Sequence, residues 1–284
     1  MNAVVEARGL SKSYGSFRAV DNVSFEVPLG RIVGVIGANG AGKTTMLNAI
    51  LGLTRYQGEL RVLGQDPALD RAKLMEKVCF ISDVATLPRW MRVSEILDFV
   101  EGVHPAFSRE VALKYLGRTK IPLTKKVKAL SKGMVTQLHL AIVMAIDAQL
   151  LVLDEPTLGL DIIFRKEFYE CLLEDYFDHQ RTIIVTTHQV EEIENILTDV
   201  IFIRDGRIVL DASLDDIAET YVQVAVTADK YEDAKALGPI YDKSVMGLHR
   251  MVFEGVPHDQ LKALGETGRV GLADLFVAKM TGGK

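Results

Sequence analysis

Gly37-Ala38-Asn39-Gly40-Ala41-Gly42-Lys43-Thr44-Thr45 is the stretch that decides the fold. An apolar run, Arg31 to Ile36, leads into it, and a helix-like run, Met46 to Leu51, leads out. Strand, glycine loop, lysine, hydroxyl and helix in that order make a phosphate-binding loop. Gly37, Gly40 and Gly42 lack Cβ atoms, so the backbone can approach an oxyanion closely. The loop's N–H groups, with a helix N-terminus behind them, suit a chain of phosphates. Lys43 brings a mobile point charge to the outer phosphates. Thr44 offers a hydroxyl to Mg²⁺, which prefers oxygen ligands and takes few of them from protein. Gly37, Asn39, Gly40, Ala41, Gly42, Lys43, Thr44 and Thr45 are therefore the expected nucleotide contacts. The loop alone does not separate kinases, GTPases, motor ATPases and transport ATPases.

Working outward, 284 residues suffice for one large domain with an appendage, and an apolar fraction of 48% supports a sizeable core. A net charge of −5 without a long block of one sign gives no reason to expect nucleic acid. Cys79 and Cys171 lie far apart with no metal-like spacing, as expected of two buried thiols in a reducing compartment. Met1 to Leu10 contains acids and lacks the apolar core of a secretory signal. The longest apolar candidate for a membrane span, Leu138 to Leu153, is interrupted by His139, Asp147 and Gln149. It is expected to be a buried helix running into a buried strand.

Strands are expected at Val4 to Leu10, Ser24 to Val27, Arg31 to Ile36, Glu59 to Val62, Val78 to Ser82, Leu150 to Leu153 and Thr182 to Thr186. Val200 to Leu210 is expected to be a hairpin turning at Asp205-Gly206. From Ser94, the expected N-cap of a helix Glu95 to Glu101, to about Ala148 the pattern is helical. Ile162 to Phe177 and the acid-rich Val190 to Leu197 are expected helices. Alternating strands and helices predict an α/β fold with a parallel sheet covered on both faces. Beyond Asp211 the character changes to a small α+β pattern: helices at Leu214 to Thr220, Tyr231 to Leu237 and His258 to Leu264, strands at Tyr221 to Thr227 and His249 to Phe253.

Two further signals carry chemistry. Asp154-Glu155 ends the apolar strand Leu150 to Leu153, which places two carboxylates at a strand C-terminus, where sites form in open α/β sheets. Asp154 is placed to hold Mg²⁺ and Glu155 to polarise an attacking water; such general-base help contributes ~10²–10⁴-fold. His188 directly follows the strand Thr182 to Thr187, and its imidazole can link phosphate and water.

Leu130-Ser131-Lys132-Gly133-Met134, 23 residues before Asp154, then narrows the class. With it the chain resembles the ATP-binding subunit of ABC transporters over roughly Val5 to Leu210. Leu130 to Met134 resembles the family's LSGGQ signature, Asp154-Glu155 its Walker B end, Leu158 to Asp161 its D-loop and His188 its switch histidine. Tyr14 matches the aromatic residue that stacks on adenine. The resemblance implies a P-loop NTPase of ABC type, with an N-terminal antiparallel β-subdomain, a helical subdomain at about 88–148 carrying the signature, and an ATP-binding domain over 1–215. Residues 216–284 form a small C-terminal α+β accessory region. It implies ATP and Mg²⁺ as cofactors and a second ATPase subunit, identical or different, packed head to tail. Ser131 and Gly133 then complete the opposite subunit's site. It also implies separate integral membrane permease subunits, which hold this chain peripherally on the cytoplasmic face of the membrane, in the multidrug and export branch. The ending Leu272 to Ala278 resembles tails common in that branch.

Three positions depart from the family pattern. Lys132 replaces a glycine and Met134 a glutamine of the signature. Asp83 stands where the family usually has a glutamine; its oxygen can still face Mg²⁺. The alternative reading is a soluble ABC-type ATPase acting on a macromolecular partner outside transport. A P-loop kinase is disfavoured by the signature and His188.

Overall fold

The computed structural model describes residues 3–81, 87–178, 180–245 and 247–281. Two long strands open the chain, β1 (Ala3–Tyr14) and β2 (Phe17–Pro28), paired antiparallel. Both run further than the expected Val4 to Leu10 and Ser24 to Val27, because pairing continues, across several register shifts, through polar residues to the Tyr14–Phe17 pair. After the Leu29-Gly30 turn come β3 (Ile32–Ile36), the glycine loop and α1 (Lys43–Ile50). Next are β4 (Gln57–Val62), which completes a three-stranded β2-β1-β4 sheet, the short α2 (Arg71–Leu74) and β5 (Val78–Ile81).

The helical stretch holds α3 (Val93–Val103), α4 (Arg109–Gly117) and α5 (Lys132–Met144). Ser94 lies inside α3 and is not its cap. Arg92 occupies the cap position, and its N–H donates to the Glu95 carboxylate at 2.7 Å, so the acid of the first turn fixes the start. Then follow β6 (Leu150–Asp154), α6 (Ile162–Cys171), β7 (Thr182–Thr187), β8 (Asp199–Arg204) and β9 (Arg207–Ser213). The expected helix to Phe177 ends at Cys171 and widens into a π turn, Leu172–Tyr176. Val190 to Leu197 is not an α-helix. It forms two 3₁₀ turns, Val190–Glu192 and Glu194–Ile196, because its buried residues Val190, Ile193 and Ile196 recur every three positions.

Strands β5-β6-β7-β3-β8 are parallel and β9 closes the edge antiparallel. Both faces are covered, which is why β3, β6 and β7 are buried at every position rather than alternately. Ile32, Leu151, Ile183 and Phe202 enter one core, shared with the helical stretch. Val33, Val152, Ile184 and Ile201 enter the other, shared with the N-terminal sheet and α1. The hairpin turn falls at Asp205-Gly206 as expected, with φ of 50° and 77°.

The chain continues through α7 (Leu214–Thr220), β10 (Tyr221–Val226), α8 (Tyr231–Ala236), β11 (Tyr241–Val245), β12 (Leu248–Glu254), α9 (His258–Lys262), β13 (Gly265–Arg269) and α10 (Leu272–Thr281). The four strands form an antiparallel sheet in the order β11-β12-β10-β13, with its own small core around Val224, Met251 and Phe253. Strands β11 and β13 are additions to the sequence-based expectation. Tyr-Asp-Lys-Ser-Val and Gly-Glu-Thr-Gly-Arg are too polar to show a strand pattern.

Candidate functional site

The sheet order places β6, β7 and β3 side by side, so their C-terminal ends open onto one place. From β3 comes the glycine loop. A Cβ on Gly42 would lie 2.4 Å from the Ala19 carbonyl, and φ there is 111°, so both space and conformation demand glycine. At Gly37 the limit is space alone: a Cβ would sit 2.6 Å from the Ile203 carbonyl.

Lys43 opens α1 and is buried, 6% exposed. Its Nζ donates to the Gly37 carbonyl at 2.7 Å and the Ala38 carbonyl at 3.3 Å, and lies 3.8 Å from Glu155 Oε1. Burial pushes the ammonium's pKa down, and the Glu155 and Asp154 carboxylates pull it back up. Thr44 donates its hydroxyl proton to Asp154 Oδ2 at 2.8 Å. Asp154, 2% exposed, accepts a second short bond on Oδ1 from the Thr186 hydroxyl.

Glu155 takes a left-handed backbone, φ 49°, which costs a side-chain-bearing residue about 1–3 kcal/mol. Its N–H is shared between the Thr186 carbonyl and hydroxyl, both at 3.2 Å. That bend turns its carboxylate to His188 Nδ1, 2.9 and 3.0 Å from the two oxygens. An ionised carboxylate only accepts, so Nδ1 donates and Nε2 is left to accept.

These groups border a hollow of about 290 Å³. Tyr14, Asn39, Gly40, Gly42, Lys43, Thr44, Thr45, Asp154 and Glu155 all line it. Gly37 and Ala41 lie beneath: the Gly37 carbonyl holds Lys43, and the Ala41 N–H closes a turn onto Ala38. His188 joins the site through Glu155. Asp83 lies outside the described residues. Ser131 and Gly133 do not border this hollow. Ser131 caps α5, its Oγ accepting from Met134 N at 3.2 Å. Lys132 lays its methylenes against Gly159, with Cε 3.4 Å from where a Cβ would be.

Sequence reasoning missed Thr186, Phe17 and Ala19. Thr186 knits the two carboxylate residues together, and its signal is the Asp154–Thr186 register of β6 and β7. Phe17 and Ala19 line the hollow with Tyr14, and Phe17 pairs directly with Tyr14 across the hairpin. Both aromatic rings are exposed, at 51% and 61%.

Residues 20–158 match the family described as ABC transporter. The Nod factor export ATP-binding protein I of Cupriavidus metallidurans is 30% identical over 300 residues, covering 99% of this chain and 98% of that protein. The chain belongs to the ABC transporter ATP-binding proteins. The ABC transporter ATP-binding protein YtrB of Bacillus subtilis is 26% identical over 226 residues, covering 80% of this chain and 77% of that one. A solved structure of an ATP-binding subunit of an ABC transporter, 24% identical, superposes with a TM-score of 0.67 over 76% of this chain and 92% of its own. The fold is the P-loop ABC ATPase fold, and the chain is an ATP-binding ATPase of this family. Among the described residues no helix is long and apolar enough to cross a membrane.

Proposed function

We propose that this ABC ATPase dimerises head to tail around Mg-ATP and powers export through separate membrane-spanning subunits. The observation that carries this reading is the division of polar groups. The loop, Lys43, Asp154 and Glu155 gather at one hollow, with His188 bonded to Glu155, while Ser131 and Gly133 sit apart from it on exposed or half-exposed positions. In this reading one chain supplies the phosphate cradle, and its partner supplies Ser131, Gly133 and the start of α5. The partner is a second copy or a related chain. Tyr14 stacks on the base. Lys43 exchanges the Gly37 and Ala38 carbonyls for phosphate oxygens. Glu155 accepts a proton from the attacking water, and His188 Nε2, oriented through its bond to Glu155, links that water to the phosphate.

Mg²⁺ fits the donors present: the Thr44 hydroxyl and the Asp154 carboxylate are hard oxygen ligands 2.8 Å apart, few in number as this ion requires. Asp83 is the further proposed ligand. Bound there, the ion neutralises charge on the outer phosphates. Residues 1–215 then form the ATP-binding domain, and residues 216–284 form an accessory region. Export is supported by the name of the Cupriavidus relative. A chain of this kind lies on the cytoplasmic face of the membrane through its permease, with which it should co-purify.

Complementation tests the composite site. Lys43→Ala and Gly133→Glu should each be inactive alone. Mixed, they should recover turnover, because a mixed dimer holds one site with both halves intact. Two correctly folded variants that stay inactive on mixing would count against the head-to-tail arrangement.

A further inference from the structure

The C-terminal helix α10 returns across the molecule to the segment that carries His188. It packs against the turn Val190–Glu192, and Leu272 and Leu275 share one buried cluster with Val190, Ile193 and Ile196. Its first turn is fixed from that segment: Glu194 Oε1 accepts from Leu272 N at 3.0 Å. Its last turn is fixed from β8, where Arg204 Nη1 donates to the carbonyls of Lys279 (3.2 Å) and Met280 (2.8 Å). Between the two, Phe276 meets Phe202 edge to face, with ring centroids 5.3 Å apart. On the other side, Lys279 binds Glu254 of β12 at 2.9 Å, tying the helix to the accessory sheet.

The segment it braces has little rigidity of its own. Its two 3₁₀ turns hold themselves by i→i+3 bonds, Ile193 N to the Val190 carbonyl at 3.1 Å and Ile196 N to the Ile193 carbonyl at 3.0 Å, a pattern less favourable than the α-helical one. The His188 ring is 39% exposed, and among the described residues Glu155 anchors it. Its backbone is set by what fixes residues 189 to 196. From α6, Arg165 binds Gln189 at 2.7 Å and Glu192. From the C-terminal region come Glu194's bond and the apolar floor of α10.

We infer that α10 is a positioning element of the hydrolytic centre, with Glu194 as the residue through which it sets His188. This rests on the reading of Glu155 and His188 given above. The tail that the sequence leaves without a target thus has one within its own chain.

The test uses the full-length protein and four variants, with kcat, KM for ATP and the melting midpoint measured together. Glu194→Ala should lower kcat about 5- to 20-fold, with KM and ATP affinity unchanged, since small misplacements of a catalytic group cost rate rather than binding. Glu194→Gln keeps an oxygen that accepts from Leu272 N and should restore kcat. Phe276→Leu, which keeps most of the packing, should give a smaller fall of the same kind. A folded Glu194→Ala protein with a lower melting midpoint but unchanged kcat would overturn the proposal, leaving α10 a purely structural brace. Glu155→Gln separates this from the underlying reading: if it turns over normally, the assignment of the hydrolytic centre itself has failed.

Discussion

The hollow at the head of the parallel sheet and the start of α5 treat their polar groups in opposite ways. At the hollow, Lys43, Thr44, Asp154 and Glu155, with His188 beside Glu155, are all bonded to one another or to nearby backbone, and two of them are nearly inaccessible. At α5, Ser131 and Lys132 are exposed, and a Cβ on Gly133 would meet only the Gly159 carbonyl, at an ordinary 3.8 Å. The first is a preorganised cage, and in the proposed reading phosphate and Mg²⁺ take over its internal bonds. The second is a bare surface. Among the described residues nothing requires glycine at position 133, so in the proposed reading a requirement there comes from the partner.

The largest effect that sharpens this contrast is on the cage. Lys43→Ala removes charge-assisted bonds to phosphate and should weaken ATP binding by about 3 kcal/mol, roughly a hundredfold in Kd. Calorimetric titration reads it directly, and unchanged affinity would remove Lys43 from the site. On the bare surface the signs should split. Gly133→Ala should stabilise the folded chain by about 0.5–1 kcal/mol in urea unfolding, because alanine is the better helix former and has room. The same change should lower turnover. A stabilised variant with full activity would mean that no partner approaches Gly133.

A smaller effect probes the helix behind the signature. His139 on α5 has a buried Nδ1 without a partner among the described residues, and burial pushes its pKa below the ordinary 6.5. Above pH 6.5 the ring is neutral in both folded and unfolded chains, and its contribution is complete. As pH falls below 6.5 the unfolded chain binds the proton first, so stability declines towards the lowered folded value. His139→Leu should flatten that decline in unfolding experiments between pH 7 and 5. An unchanged slope would assign the decline to other groups.

What the sequence made legible follows from how local each feature is. The glycine loop, the strand ending at Asp154-Glu155 and the Asp205-Gly206 turn are written in consecutive residues, and all three are found where expected. Thr186 was seen only as a β-branched strand residue, because its work depends on the register between β6 and β7. Phe17 needed the hairpin register, which places it opposite Tyr14. The segment after His188 was misjudged because acids between apolar residues suggested an amphipathic helix, whereas a spacing of three suits tighter turns. The tail's target lay out of reach for the same reason: Leu272 binds a residue 78 positions earlier.

The central claim is that two chains close around nucleotide, and Glu155→Gln tests it most directly. This variant keeps the cage and loses the proton acceptor. Sedimentation with Mg-ATP should show a dimer holding two nucleotides, which dissolves when ADP is substituted. A protein that binds ATP tightly yet remains a monomer at high concentration would contradict the account.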